Sequence, residues 1–281
     1  MKIFTEEIYM NVTEIIKDAF LFPSKNIGRF AIYLLLSWFM AWFAFEGVFT
    51  YASGLINAGN YLTGGMCLII SMLIGFIIAG YHIKVIKSGI ELDDEVPGFG
   101  LYENFMTGFD NVMVSILYFI IPVLIVLLVG LSTNVLGNAI AIVKEFVLLI
   151  FNDYIMGGSL DIATNTISHA TSIAITSTVA LILFVIFSFL QSMAKTRLAN
   201  TCSVREALNI FEAAKDMTRI GVGKVILSIL LLIVIIPIIE IILIVILKGF
   251  LFLLPLFNII IIPYLALAFQ RALGLLYSDI A

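Results

Sequence analysis

Six stretches of about twenty apolar residues, each almost free of charge, punctuate the chain at roughly 30–52, 63–84, 112–131, 172–194, 225–247 and 250–273. A helix needs about 20 such residues to cross the hydrocarbon core of a bilayer. Lipid offers no partner for a free backbone N–H or C=O, so segments of this kind satisfy themselves as helices. The stretches therefore predict an all-α integral membrane protein with six transmembrane helices. Composition closes off the soluble alternative. The 281 residues are 62% hydrophobic and 12% charged, and a soluble core of this size cannot hide that much apolar surface. A net charge of −4 without a basic stripe gives no sign of a nucleic-acid partner. The opening Met1-Lys-Ile-Phe-Thr-Glu-Glu lacks the basic and apolar regions of a signal peptide. The first spanning helix is expected to do the targeting.

Basic residues near span ends set orientation. With the N-terminus inside, thirteen of the 15 Lys and Arg fall on the cytoplasmic side, and only Lys144 and Lys248 fall outside. Both termini are thus expected in the cytoplasm of a multi-pass cell-membrane protein. Residues 135–151 are apolar at both ends but carry Lys144-Glu145 in the middle. A span here would reverse everything after it and would bury two charges at about 2.5–3.5 kcal/mol each. The segment is expected to be an outer helix, either amphipathic in the interface or re-entrant. In this topology Cys67 and Cys202 lie on opposite sides, too far apart for a disulfide.

An internal pattern runs through the six spans. Ile8, Val12, Ile15, Ile16, Ala19 and Phe20 share one face of a helix before the first hairpin. Before the third, Ser203-Val-Arg-Glu206 has capping-box spacing, and Val204, Ala207, Leu208, Phe211 and Ala214 line one face opposite Arg205, Glu212, Asp216 and Arg219. Leu101 to Phe109 is a weaker version before the second. The pattern predicts three hairpin repeats in one membrane domain of residues 1–281, with units of about 5–88, 98–198 and 203–278. Each would be preceded by a cytoplasmic amphipathic helix lying in the membrane plane. The hairpins also end alike, at Ala79-Gly-Tyr-His-Ile-Lys84, Gln191-Ser-Met-Ala-Lys195 and Ala268-Phe-Gln-Arg271.

Phe22-Pro23, Gly80-Tyr81 with Lys84 and Lys87, and Asp94-Glu95-Val96-Pro97-Gly98-Phe99 before a Gly108-centred helix carry a resemblance. With these motifs the chain resembles an uncharacterised family of multi-span membrane proteins common in methanogenic archaea, a domain of unknown function. The likeness covers nearly the whole chain and is densest over residues 8–125. In layout the chain is more loosely similar to the membrane domain of some glycerophosphodiester phosphodiesterases. Neither resemblance implies catalytic residues or an activity for this chain.

Carboxylates inside spans are functional candidates, because an unpaired charge in lipid is expensive. Glu46 lies seventeen residues beyond Arg29 and Glu240 sixteen beyond Lys224, each about 25 Å from the inner face at the rise of a helix. They form a candidate intramembrane polar site for a proton, cation or amine. Pro122, Pro237, Pro255 and Pro263 interrupt spans, either as packing kinks or as the broken helices of a gated site. Ser71, Gly75 and Ala79 make a small-residue ridge suited to close helix contact. Lys84, Lys87, Lys195 and Arg197 sit at the inner headgroup level as candidate contacts for anionic lipid.

The acidic run Glu91, Asp93, Asp94 and Glu95 lacks the ligand spacing of a calcium loop. His82 and His169 are too far apart to share a metal. No H-E-x-x-H, G-x-S-x-G or phosphate-loop motif occurs. No catalytic residue, metal or cofactor is assigned. The expected function is a non-enzymatic membrane component that organises lipid or partner proteins. A small-solute transporter or channel using Glu46 and Glu240, and a lipid-modifying enzyme, are the alternatives.

Overall fold

The computed structural model of the protein describes residues 10–56, 61–155, 164–246, 248, 250 and 254–281. Among them every regular element is helical. Six helices are long and apolar enough to cross a membrane, at Ile27–Gly54, Tyr61–Ile90, Leu101–Ser132, His169–Thr201, Val222–Ile246 and Phe257–Tyr277. The first residues, the 57–60 break, the 156–163 stretch with Ser159, and the turn expected at Lys248-Gly249 lie wholly or partly outside the described residues.

In chain order the helices are α1 (Val12–Leu21), α2 (Ile27–Ile56), α3 (Tyr61–Ile90), α4 (Leu101–Ser132), α5 (Val135–Ile155), α6 (Thr164–Thr201), α7 (Val204–Ala207), α8 (Ile210–Ile220), α9 (Val222–Ile246) and α10 (Leu254–Tyr277). They fall into two compact units, residues 1–115 with 191–281, and residues 116–190.

In the first unit, α1 begins where the Asn11 backbone N–H donates to Glu14 Oε2 at 3.0 Å, satisfying a group that no helical turn can reach. Its Ile15 and Ala19 are fully buried. A short 3-10 turn, Phe22–Lys25, then carries the chain into α2, with Phe22 and Pro23 buried. Helices α2 and α3 run side by side, and Ser71 Oγ donates to the Met40 carbonyl at 2.9 Å. A core of Phe22, Tyr33, Ile78, Tyr81, Val85, Val96 and Leu267 draws α2, α3, α10 and the segment after α3 together.

Two glycine pairs fix how closely the helices cross. A Cβ on Gly108 of α4 would fall 1.7 Å from the Phe76 carbonyl oxygen, and one on Gly80 of α3 would fall 1.8 Å from that of Asn104. On the other side of α3, Gly89 faces Gly274 of α10, and a Cβ on Gly274 would fall 2.2 Å from the Ile86 oxygen. Only hydrogen fits in such gaps, which is how glycine lets membrane helices approach backbone to backbone. The expected ridge contributes its Ser71 bond to α2, but the closest crossing comes one residue beyond Ala79.

Two expectations about the amphipathic segments need correction. Leu101 to Phe109 is not a separate helix, because α4 runs unbroken from Leu101 to Ser132. Nothing in Gly108-Phe-Asp-Asn111 stops the helix, and Gly108 serves the crossing with α3 instead. Before α9 the expected single apolar face is split. The α7 turn ends at Ala207, and Asn209 starts α8 by accepting the Glu212 N–H at 3.3 Å. This restart rotates the face: Ala213, Asp216 and Ile220 point inward, while Phe211 is 87% exposed. Half of the expected capping box forms, with Ser203 Oγ accepting the Glu206 N–H at 3.4 Å.

The prolines also sort differently from the expectation. Pro122, Pro237 and Pro263 sit inside helices that continue through them. Pro255 instead occupies the first turn of α10, where no helical donor is lost.

In the second unit, residues 135–151 belong to α5, a helix of 21 residues. Asn134, with φ of 50°, turns the chain between α4 and α5. Phe119 packs against Phe184 with ring centroids 5.6 Å apart.

Candidate functional site

The charged end of the first unit is built from pairs that join one helix to another. Lys84, near the end of α3, donates to Glu103 at the start of α4 at 2.6 Å. Arg197, near the end of α6, donates through Nη1 to Asp216 of α8 at 2.6 Å. The separation along the chain is 19 residues in both cases. Arg271, near the end of α10, donates through Nε to Asp18 of α1 at 2.9 Å.

The Arg271 guanidinium is 1% exposed. It also donates to the Asp93 carbonyl at 2.6 Å and to Ser88 Oγ at 3.3 Å, and stacks 4.4 Å from the centre of the Phe22 ring. Lys25 bridges Asp18 at 2.8 Å and Asp94 at 2.6 Å. Burial by itself lifts the Asp18 carboxyl, but the ammonium of Lys25 and the guanidinium of Arg271 outweigh it and hold its pKa below the ordinary value of 3.8. Burial likewise opposes the Lys25 ammonium, and its two carboxylate partners raise its pKa above 10.5.

The motifs behind the family resemblance converge on this layer. Phe99 stacks on Tyr81 with centroids 3.9 Å apart, and the Tyr81 hydroxyl donates to the Pro97 carbonyl at 3.2 Å. The acidic run is therefore a docking loop. Asp94 takes Lys25, and the Asp93 backbone takes Arg271.

Asp216, 1% exposed, accepts from Arg197, from the Tyr277 hydroxyl at 2.9 Å and from Arg219 at 3.4 Å. Arg197 also reaches Glu206 at 3.1 Å. Of the four cations proposed as lipid contacts, Lys84 and Arg197 are thus occupied by acids, and Lys87 sits 3.9 Å from Glu91. Lys195 has no ion-pair partner among the described residues and lies within electrostatic range of His82.

A groove of about 550 Å³ opens among α2, α3 and α10 within the membrane-spanning segments. Its walls are apolar, including Trp38, Met40, Ala41, Ile78, Ile262 and Pro263. At one end the Tyr33 hydroxyl and His82 Nε2 lie 2.8 Å apart. His82 Nδ1 has no protein partner among the described residues. Asn258 also lines the groove, and its buried Oδ1 has no hydrogen-bond partner among the described residues. Ser37 donates back to the Tyr33 carbonyl at 2.9 Å. Among the described residues no Asp, Glu, Lys or Arg lines this groove.

The Tyr33–His82 pair escaped the sequence reading, which considered His82 only as a metal ligand. The signal was register. In an antiparallel pair of helices, Gly47 against Leu68 and Gly64 against Tyr51 carry position 33 opposite position 82.

The second unit holds its own polar cluster. Asn138 Nδ2 donates to Ser172 Oγ at 2.7 Å, His169 Nδ1 lies 2.9 Å from Asn138 Oδ1, and His169 Nε2 lies 3.9 Å from Glu145. Thr133 and Thr176 join their hydroxyls at 3.0 Å. Glu46 is exposed on α2 and accepts the Thr50 hydroxyl at 3.2 Å. Glu240 lies in α9. Cys67 and Cys202 are free thiols. No cluster of three or more His, Cys, Asp or Glu suited to a metal occurs among the described residues.

Comparison with known proteins agrees with the resemblance read from the motifs. No solved structure matches the chain. An uncharacterized protein of Methanocaldococcus jannaschii, MJ1189, is 29% identical over 97 residues, which is 30% of this chain. The match spans about a third of that relative's length (34%). The family model described as "Protein of unknown function (DUF4013)" matches residues 63–248, from the start of α3 through α9, and the chain belongs to this family.

Proposed function

We propose that the protein is a non-enzymatic component of the cell membrane that organises lipid or partner proteins, with both termini in the cytoplasm. The observation that carries this reading is the use made of its charges. Lys84, Arg197 and Arg271 each hold an acid on a different helix, so the residues best placed for chemistry work as fasteners. Such a pair is weak evidence for extra stability, but each of the three ties two helices together.

The same three pairs favour the reading of three hairpin repeats. In each, the base that ends one hairpin meets an acid on the helix that begins another. The last of them, Arg271 with Asp18, brings the end of the series back to its start.

One observation favours a second reading, transport of a proton or small cation. Glu46 is an acid within a span, and among the described residues its partner is a hydroxyl, that of Thr50. Purified protein in sealed vesicles tests both readings. Under the scaffold reading, proton or cation flux stays at the level of empty vesicles, and Glu46→Gln with Glu240→Gln changes nothing. Flux that disappears in that double variant would overturn the scaffold. Orientation is read in intact cells with an impermeant thiol reagent. The exposed Cys202 should stay unlabelled until the membrane is opened, and labelling from outside would reverse the topology.

A further inference from the structure

We propose that the groove among α2, α3 and α10 binds one neutral amphiphile from the bilayer, a long hydrocarbon chain ending in a hydroxyl-bearing head. The head would sit at Tyr33 and His82. The inference rests on the scaffold reading only in taking lipid as what is organised.

The size suits a ligand, since about 550 Å³ falls within the usual range of about 300–1,000 Å³ for small-molecule sites. The groove lies within spanning segments, so the medium that fills it is lipid rather than water. Its polar groups are few, as in ligand sites generally, and Tyr33 and His82 meet at one end of it. His82 is two residues from Lys84, and Tyr33 is four residues from Arg29, so this end borders the charged layer. From there Ile78, Met40, Ile262 and Ile259 lead away along the spans. A membrane amphiphile has the same polarity, with its head toward the charged boundary and its chain toward the bilayer centre.

The hydrogen-bonding inventory selects the head. The Tyr33–His82 contact uses Nε2 and leaves Nδ1 unpartnered, as donor or acceptor according to the tautomer. A hydroxyl both donates and accepts, so it meets either tautomer. A phosphate or quaternary ammonium finds no opposite charge among the described lining residues, Lys195 lying outside that lining, and such a group is costly to bury unpaired.

The test uses palmityl alcohol carrying a mid-chain diazirine, added to the full-length protein in detergent, photolysed and mapped by peptide mass spectrometry. The same chain as a phosphate monoester and as a plain hydrocarbon provides the comparison. Labelling should concentrate on peptides holding Trp38, Ile259 or Ile262, and unlabelled palmityl alcohol should compete it away. Ala41→Phe, on the exposed wall, and Ala266→Phe should each abolish it by filling the groove. His82→Phe should weaken alcohol labelling by about fivefold, the worth of one hydrogen bond, and leave the hydrocarbon unaffected.

Labelling scattered over all spans, or undiminished by Ala41→Phe and by competitor, would overturn the site. Preference for the phosphate ester would overturn the neutral head. Because competition works on the wild-type chain, a variant that misfolds leaves the question answerable. The vesicle flux result is independent, so the scaffold reading and this site can fail separately.

Discussion

Asp216→Asn is the sharpest perturbation the structure offers. The carboxylate is 1% exposed and takes the guanidinium of Arg197, whose own side chain is 10% exposed. Removing one partner of a buried pair costs roughly 3–5 kcal/mol, because the other charge stays buried and uncompensated. Arg197 keeps Glu206 at 3.1 Å, which is 56% exposed, so the low end of that range applies, about 3 kcal/mol. The asparagine carbonyl can still accept from Tyr277, and Arg219, 51% exposed, turns to solvent. For a chain of this size about 2–4 °C of melting temperature is lost per kcal/mol, giving a fall of about 6–12 °C.

Glu206→Gln removes only the exposed partner and should cost about 0–1 kcal/mol. The combination Arg197→Met with Asp216→Leu removes both charges and should recover most of the loss, since apolar replacement of a whole buried pair is close to neutral. Thermal unfolding in detergent, followed by size-exclusion of heated samples, reads all three variants. If Asp216→Asn melts with Glu206→Gln, or if the double variant is no better than the single, the pair is not buried as described.

Three further outcomes follow from the packing. Gly108→Ala, which sets a methyl against the Phe76 carbonyl, should lower stability by about 1–3 kcal/mol or prevent folding, while Gly98→Ala, with open space around its Cβ, should match wild type; equal melting of the two would refute the close crossing. Ile15→Glu places a charge at a fully buried position and should unfold α1 from the core, whereas Phe211→Glu at an exposed one should leave the melting temperature unchanged; this contrast departs from the equal effects that the sequence pattern implies. The depressed pKa of Asp18 means that its contribution is present above 3.8 and is lost as pH falls through the folded value. The raised pKa of Lys25 makes its contribution present below 10.5 and lost as pH climbs through its folded value. Melting temperatures across pH should show a steeper acid limb in wild type than in Asp18→Asn, and parallel limbs would remove Asp18 from the account.

Much of this architecture was legible because the bilayer leaves few options. Twenty apolar residues without charge in one run have one stable form, so the six spans stand out without any structure. The amphipathic segments were legible only in part. Apolar periodicity placed Ile15 and Ala19 correctly, but it assumed one continuous helix from Val204 to Ala214. The break at Leu208-Asn209 rotated the register, sending Phe211 outward and Asp216 inward. A charge read as solvated was in fact aimed at an arginine on another helix, a contact that lies beyond local periodicity. The groove was harder still. Its Tyr33, His82 and Asn258 come from three helices, and each alone looks like an ordinary polar residue in a span. Only the register of the α2–α3 pair makes two of them neighbours.

The bond from Arg271 to Asp18 also has a consequence for how the chain is made. Domains emerge from synthesis N-terminus first, at about 5–20 residues per second. Asp18, Lys25 and the buried ring of Phe22 therefore exist long before the guanidinium that completes them. Throughout that interval the Asp18 carboxylate has Lys25 but not Arg271, and Gly89 of α3 is not yet covered by Gly274. The last helix then supplies Arg271, Gly274 and Tyr277 nearly at once. Final assembly is thus timed by the arrival of α10, and a ribosome stalled before that helix would display a protein whose spans are inserted but whose charged layer is still open.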